Sequence, residues 1–478
     1  MALVTQTPGV YIEEVTKLPP SVAQVATAIP AFIGFTEKAI DLVENDLLEK
    51  ATRITSMRQY ELLFGGPPKQ GFTIALTDVV LPDGLTIKKM PLSAELSTPS
   101  DYRMYHALQL YFSNGGGPCY VIPVGNTTTA VSKADLEKGI AIAETIDEIT
   151  LYLFPDAAKL AAGPYYGVFQ TALDNCAKLQ DRFTIVDVKV NGGVAPSIAE
   201  PHKPVTQFRA TGVGSNRRFG AAYYPWLKTA FSYIYNIDYT EDNVDMDMDG
   251  DGTTPLETWA DIKAATNVHV TDEFEEKIKE VIGKLRIEMP PSSAIAGIYA
   301  AVDRTRGVWK APANVAISNA VEPLIRISHE DQMDMNIHST GLSVNAIRHF
   351  TGRGTLVWGA RTLDGNNNEN KYVSVRRFLN MVMESVKEST EPFVFESNDA
   401  NTWVKVRAMI ENFLTNLWRQ GALQGAKPEE AFFVNVGLGS TMTAVDILEG
   451  RMIVEVGMAI VRPAEFIIIQ FSHLLAQS

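Results

Sequence analysis

The stretch "DYRMYHALQLYFSNGGGPCYVIPVG", residues 101–125, carries a helix and a strand back to back. Met104, Leu108 and Tyr111 with Phe112 recur at helical spacing, so one helix face is apolar. Gly115 to Gly117 end that helix, because glycine takes the left-handed backbone of a helix terminus without steric cost. Cys119 to Val124 then read as a strand. The same order returns in "YGVFQTALDNCAKLQDRFTIVDV", where Phe169, Leu173, Cys176 and Leu179 share a face ahead of a strand over Phe183 to Val188. Helix and strand in alternation predict an α/β layer.

Outward from these units the texture changes. Val10 to Val15 form a short strand-like stretch fenced by Pro8 and Gly9 before it and by Pro19 and Pro20 after it, an arm that cannot stand alone. Residues around 40–100 and 189–270 are broken by "GGPPKQG", "LPDG" and "STPS" and by further Gly, Pro and Ser; they read as surface insertions without sustained periodicity. From Tyr372 the helices lengthen. In "NTWVKVRAMIENFLTNLWRQGAL" an apolar stripe runs through Trp403, Val406, Ile410, Phe413 and Leu417, and Gly421 is placed to cap the C-terminus. "RMIVEVGMAIV" follows as a strand with Met452, Val454, Val456, Met458 and Ile460 on one face and Arg451 and Glu455 on the other. Pro463 interrupts, and "FIIIQF", residues 466–471, puts Phe466 and Ile468 on one side and Ile467, Ile469 and Phe471 on the other, with Gln470 the only polar member. Both faces are apolar, so this strand needs cover on both sides or strands at both edges. Either it lies inside its own domain or it is added to a neighbour's sheet.

Composition narrows the function. The 478 residues allow roughly three domains of ordinary size. The net charge of -14, from 56 acids against 42 bases, disfavours a surface that grips nucleic acid. Cys119 and Cys176 are the only cysteines, so no disulfide framework is expected. The start lacks a signal-peptide pattern and no run of about 18 apolar residues is present, so neither export by an ordinary signal nor membrane insertion is expected.

Fragments that resemble chemical motifs are incomplete. "DMDMDGDGTTPLE" places Asp245, Asp247 and Asp249 before Gly250 like the first half of an EF-hand, but the closing acid is out of register at Glu257; a solvated acidic loop is the preferred reading over a calcium site. "TGVGSNRRFG" has Arg217 where a dinucleotide loop needs its third glycine. "GLSVN" around Ser343 ends in Asn345 where a nucleophile elbow closes with glycine. No cofactor and no catalytic residue is assigned. An α/β enzyme with a dispersed site around Ser343 and His349, and a calcium-regulated binding module, stand as alternatives to a structural role.

Nine runs, in order, resemble the sheath proteins of contractile phage tails and of related extracellular contractile injection systems. They are "TPGVYIEEV", "AFIGFTEKA", "NGGGPCYVIPVG", "AAYYPWLK", "MPPSSAIAGIYAAVDRTRGVWKAPAN" (289–314), "NAIRHFTGRGTLVWGARTL" (345–363), "YVSVRRFLN" (372–380), "LWRQGALQGAKPEEAFFV" (417–434) and "VGMAIVRPAEFIIIQFS" (456–472). The resemblance implies a subunit that polymerises as stacked six-subunit rings around an inner tube and contracts to drive the tube through a target envelope. It implies an N-terminal linker arm over 1–22, an outer α/β domain over 23–370 and an inner α+β domain over 371–478. It further implies that Val10, Tyr11, Ile12, Glu13 and Val15, with Phe466, Ile467, Ile468, Ile469, Gln470 and Phe471, join sheets of neighbouring subunits. Baseplate, tube and terminal-cap proteins are the implied partners, and the particle is expected to assemble in the bacterial cytoplasm and end as a phage tail or a released injection particle. By analogy the tube contact is placed at Asp446, Glu449 and Arg451.

Overall fold

The computed structural model describes residues 22–68, 70–80, 87–98, 100–190, 203–233, 244–247, 257–258 and 272–469. The chain divides into a larger compact unit, Ala26–Asn380 with Arg462–Ser478, and a smaller one, Met1–Val25 with Met381–Val461.

Six parallel strands form the centre of the larger unit. Strand Pro30–Thr36 lies between Cys119–Asn126 on one side and Leu151–Leu153 on the other; Phe183–Asp187, Gly220–Tyr224 and Val344–Phe350 continue outward from Leu151–Leu153. Antiparallel strands close both ends, Thr52–Ile54 beyond 119–126 and Gly354–Val357 with Val315–Ala316 beyond 344–350. Along Pro30–Thr36 every residue is buried, as a parallel sheet covered on both faces requires. Ala31, Ile33 and Phe35 face the helices Lys133–Glu144 and Ala162–Leu179, while Phe32 faces Met104–Ser113 and Ser292–Arg306. The helix and strand read from residues 101–125 are both present.

The chain first steps from strand 30–36 to 119–126, then reverses to 151–153. Where a sheet of this kind reverses, a crevice opens at the strand ends that commonly takes a ligand. Here Asp156 occupies it. Its buried carboxylate accepts hydrogen bonds from the backbone N–H groups of Phe35 (2.7 Å) and Arg103 (2.5 Å), and a Cβ on Gly34 would run into it. The register shift between Gly34 and Phe35 sits at this point.

Two signature runs meet in the core. Arg377 from "YVSVRRFLN" makes a two-pronged pair with Asp303 from "AAVDRTRG" (3.0 and 2.6 Å), and both side chains are buried. Thr27 completes the knot, accepting from Arg377 through its carbonyl and donating to Asp303 through its hydroxyl. Gly297 lets the Ser292–Arg306 helix press against Met104–Ser113; a Cβ there would lie 2.5 Å from the Tyr111 carbonyl oxygen.

The insertions depart from the sequence reading. Gly71–Val80 and Ile87–Thr98 are long antiparallel strands, extended by Val244–Asp247 and Glu257–Thr258 into a four-stranded sheet. Phe72, Ile74, Leu76, Ala94 and Met246 pack under Phe274, Ile278, Val281 and Ile282 of the helix Asp272–Gly283. Asp245 and Asp247 therefore lie in a strand and not in a solvated loop, while Asp249 lies outside the described residues. The alternation of Phe72, Ile74 and Leu76 was present in the sequence, but the strand that pairs with it, Val244–Asp247, comes far along the chain.

Two measurements check this core. Asp303→Ala leaves the buried Arg377 without a counter-charge and should cost about 3–5 kcal/mol in a denaturant melt. Asp187, at the end of strand Phe183–Asp187, is buried and accepts from the Ser292 backbone N–H (2.7 Å) at the start of the Ser292–Arg306 helix. Burial pushes its pKa up from 3.8 to about 7, partly offset by the bonds at Ser292. The native state therefore keeps a proton that the unfolded chain releases, and this group's contribution falls as pH rises from 3.8 to about 7. Asp187→Asn, which keeps an acceptor oxygen and cannot ionise, should gain stability relative to the natural chain between pH 4 and pH 8 in paired thermal melts.

Candidate functional site

The smaller unit is built on the helix Ala400–Arg419. Asp399 caps its start by accepting from Thr402 N–H (3.0 Å), and Gly421, at φ 81°, ends it with bonds from Gly421 to Trp418 and from Ala422 to Leu417. Val406, Ile410, Phe413 and Leu417 are buried as the periodicity required; Trp403 is half-buried and donates to Asn398 (2.7 Å). Arg407 of this helix donates to the Val434 carbonyl (3.1 Å) of a two-stranded antiparallel sheet, Phe432–Asn435 paired with Glu455–Met458. Among the described residues this sheet has no third strand. An isolated pair of strands is marginally stable. Phe433 and Gly457 stand opposite each other, and the Phe433 ring covers the space a side chain at Gly457 would need.

The turn between these strands gathers the three residues picked for a tube contact. Thr443 and Asp446 form a capping box at the short helix Ala444–Leu448. Arg451 reaches back to Asp446 (2.8 Å) and to Glu449 (2.5 Å). The Thr443 hydroxyl, with the Thr443 N–H and Arg451 behind it, holds the Asp446 carboxyl below its usual range. Beside them the apolar side chains of Leu438, Val445 and Leu448 are exposed. These were not singled out in the sequence, although "GLGSTMTAVDILEG" shows apolar residues standing in a turn.

In the larger unit the C-terminal segment has two different halves. Glu465 is docked: its carboxylate takes two bonds from Arg361 (2.8 and 2.7 Å), one from Asn336 (2.8 Å) and one from Tyr372 (2.9 Å). Burial acts to raise its pKa, but the bonds from Arg361, Asn336 and Tyr372 outweigh it and hold the carboxyl below its ordinary 4.5. Directly after it Phe466, Ile467, Ile468 and Ile469 are 64, 81, 83 and 71% exposed and pair with no strand of the described residues. Among the described residues they do not form the internal strand that was one of the two sequence readings. Gln470 and Phe471, and all of Val10 to Val15, lie outside the described residues.

The residues of the enzyme alternative are apart. The Ser343 hydroxyl donates to the Asn336 carbonyl (2.7 Å), whereas His349 meets Thr355 (3.3 Å). Six residues of extended chain separate them by roughly 20 Å. Among the described residues no helix is long and apolar enough to cross a membrane.

Known proteins settle the family. The chain is 32% identical to the sheath of an extracellular contractile injection system, the PVC sheath complex in its contracted state, with 98% of each chain covered and a TM-score of 0.64. The chain belongs to the contractile sheath family. It is equally similar to the contracted helical sheath of the anti-feeding prophage, at 32% identity over 98% of this chain and 99% of that one, with a TM-score of 0.64. Residues 366–472 match the family model of the phage tail sheath C-terminal domain. The tail sheath protein of Vibrio phage KVP40 is 24% identical over 140 residues, which are 28% of this chain and 20% of that protein. This protein is thus a structural sheath subunit and not an enzyme, and a component of a phage tail or contractile injection particle.

Gly457→Val separates propensity from packing in this sheath subunit. Valine favours strands, but the Phe433 ring fills its place; the variant should lose about 1–3 kcal/mol in a melt.

Proposed function

We propose that sheath subunits join by exchanging terminal strands: residues Phe466–Phe471 of one copy, and Val10–Val15 of another, add to the sheet Phe432–Asn435 with Glu455–Met458 of their neighbours. The observation that carries this is the exposure of Phe466–Ile469 immediately after the docked Glu465. Burying four such side chains contributes roughly 6–12 kcal/mol, and each ladder hydrogen bond about 1 kcal/mol more. A sheet with no third strand among the described residues is a suitable acceptor.

Links of this kind are heterologous, so they propagate into a continuous mesh. The subunits form stacked six-subunit rings around an inner tube, and the lattice has two arrangements, extended and contracted, of which the contracted is the better packed. Contraction drives the tube through the target envelope while the exchanged strands hold neighbours together. Residues 371–478 with the N-terminal arm make the inner, lattice-forming domain, and residues 23–370 the outer one. The turn with Asp446, Glu449 and Arg451 faces the tube with a polar cluster already paired to itself, which suits a contact that must release. The assembled sheath sits on a baseplate, as the 31%-identical chain of the six-fold anti-feeding prophage baseplate does over 99% of this chain, and ends at a terminal cap. Assembly takes place in the bacterial cytoplasm. Likeness over the full length to injection-system sheaths favours an injection particle over a phage tail.

Deleting residues 466–478 tests the exchange. The shortened chain should stay folded and monomeric on a sizing column and form no striated tubes under the electron microscope. Ordered tubes from that chain would sink the proposal.

A further inference from the structure

The apolar pattern of residues 466–471 has a weakness. Register between strands is normally set by which face is apolar, because a one-residue slip turns every side chain over. Here both faces are apolar, so a slipped strand buries nearly the same surface. Something else must fix where the strand begins.

Glu465 occupies that position. The Arg361 side chain that holds it is 4% exposed, and among the described residues Glu465 is its only ion-pair partner. Arg361 is itself fixed to the central sheet: Asn345 accepts from the Arg361 N–H (2.7 Å) and donates to the Arg361 carbonyl (2.7 Å), and also bonds the Ala222 carbonyl (3.1 Å) in strand Gly220–Tyr224. Tyr372, the third residue on the carboxylate, forms a backbone bridge with Arg361. Four bonds to one carboxylate from three side chains satisfy it fully and fix its direction. Withdrawing Glu465 would leave a buried guanidinium without a counter-charge, which is strongly unfavourable. No linker stands between Glu465 and Phe466.

We propose that the Glu465 clasp, with Arg361, Asn336 and Tyr372, is a register stop for the exchanged strand, fixing its starting point so that each subunit reaches one neighbour at one distance. This rests on the exchange reading above. A strand of six residues starting at the clasp spans about 20 Å, so the acceptor edge lies within that reach of Arg361. A slip along the acceptor edge would pull Glu465 out of the clasp, and the cost of doing so supplies the discrimination that the side-chain pattern lacks. Glu465 is a positioning residue: it makes none of the exchanged contacts and determines where they fall.

Two variants test this against the deletion of residues 466–478. Inserting Gly-Ser between Glu465 and Phe466 keeps the clasp and the facing of the strand but adds about 7 Å of slack. Glu465→Gln keeps the shape and removes the charge. Both chains should fold, and the exchange reading predicts that both retain the strand's affinity for the acceptor. Cryo-electron microscopy of their tubes should then show a spread of subunit rise and twist where the natural chain shows one value. Uniform natural rise and twist in the insertion variant would overturn the register stop, whatever Glu465→Gln does. A folded insertion variant that forms no tubes would also overturn it, since slack at a register stop should broaden the spacing and not abolish the joint. If the chain lacking 466–478 still forms tubes, the exchange reading itself fails, and the two failures are distinguishable.

Discussion

A charge removed from water must find its opposite, and in this subunit two buried guanidinium groups hold distant parts of the chain in place by that requirement. Arg377 draws Asp303 and Thr27 together, joining the Ser292–Arg306 helix, the start of the long helix Val373–Thr390 and the entry to the first strand. Arg361 draws Glu465 to the end of the central sheet. Neither pair is a strong source of net stability, since desolvation offsets much of the attraction. Their effect is exclusive geometry: an apolar contact tolerates sliding, whereas a bidentate ion pair does not.

That distinction explains which parts of the molecule were legible in the sequence. Elements built on periodicity were readable: the helix and strand of residues 101–125, the Ala162–Leu179 unit, and the stripe of Ala400–Arg419 with its glycine cap. The apolar run at 466–469 was readable as a strand in want of a partner, and its exposure fits that want. The four-stranded sheet of the insertion was missed because its strands come from segments far apart, and prolines and glycines around them suggested loops. The clasp was missed for a different reason. A lone glutamate two residues after a proline carries no local signal, and Arg361, Asn336 and Tyr372 have no shared spacing with it. The residues picked by analogy, Asp446, Glu449 and Arg451, do converge, yet the capping box accounts for Asp446 without any partner.

Helices lengthen near Tyr372, but the compact units divide after Asn380, and Arg462–Ser478 groups with the larger unit although the family model of the C-terminal domain runs through to residue 472. Glu465 supplies the physical reason, since its bonds all go to residues of the larger unit.

Phe466–Ile469 stand bare on an isolated subunit, and that has a kinetic side. On the exchange proposed above the chain is complementary to itself, and a head-to-tail pairing of that kind can propagate from copy to copy. Growth then depends on protein concentration and on a seed, as crystallisation does. If subunits join as proposed above, a growing end that offers several neighbours at once holds a fresh subunit better than one free copy does, so the place of a sheath is set by where its first turn is laid.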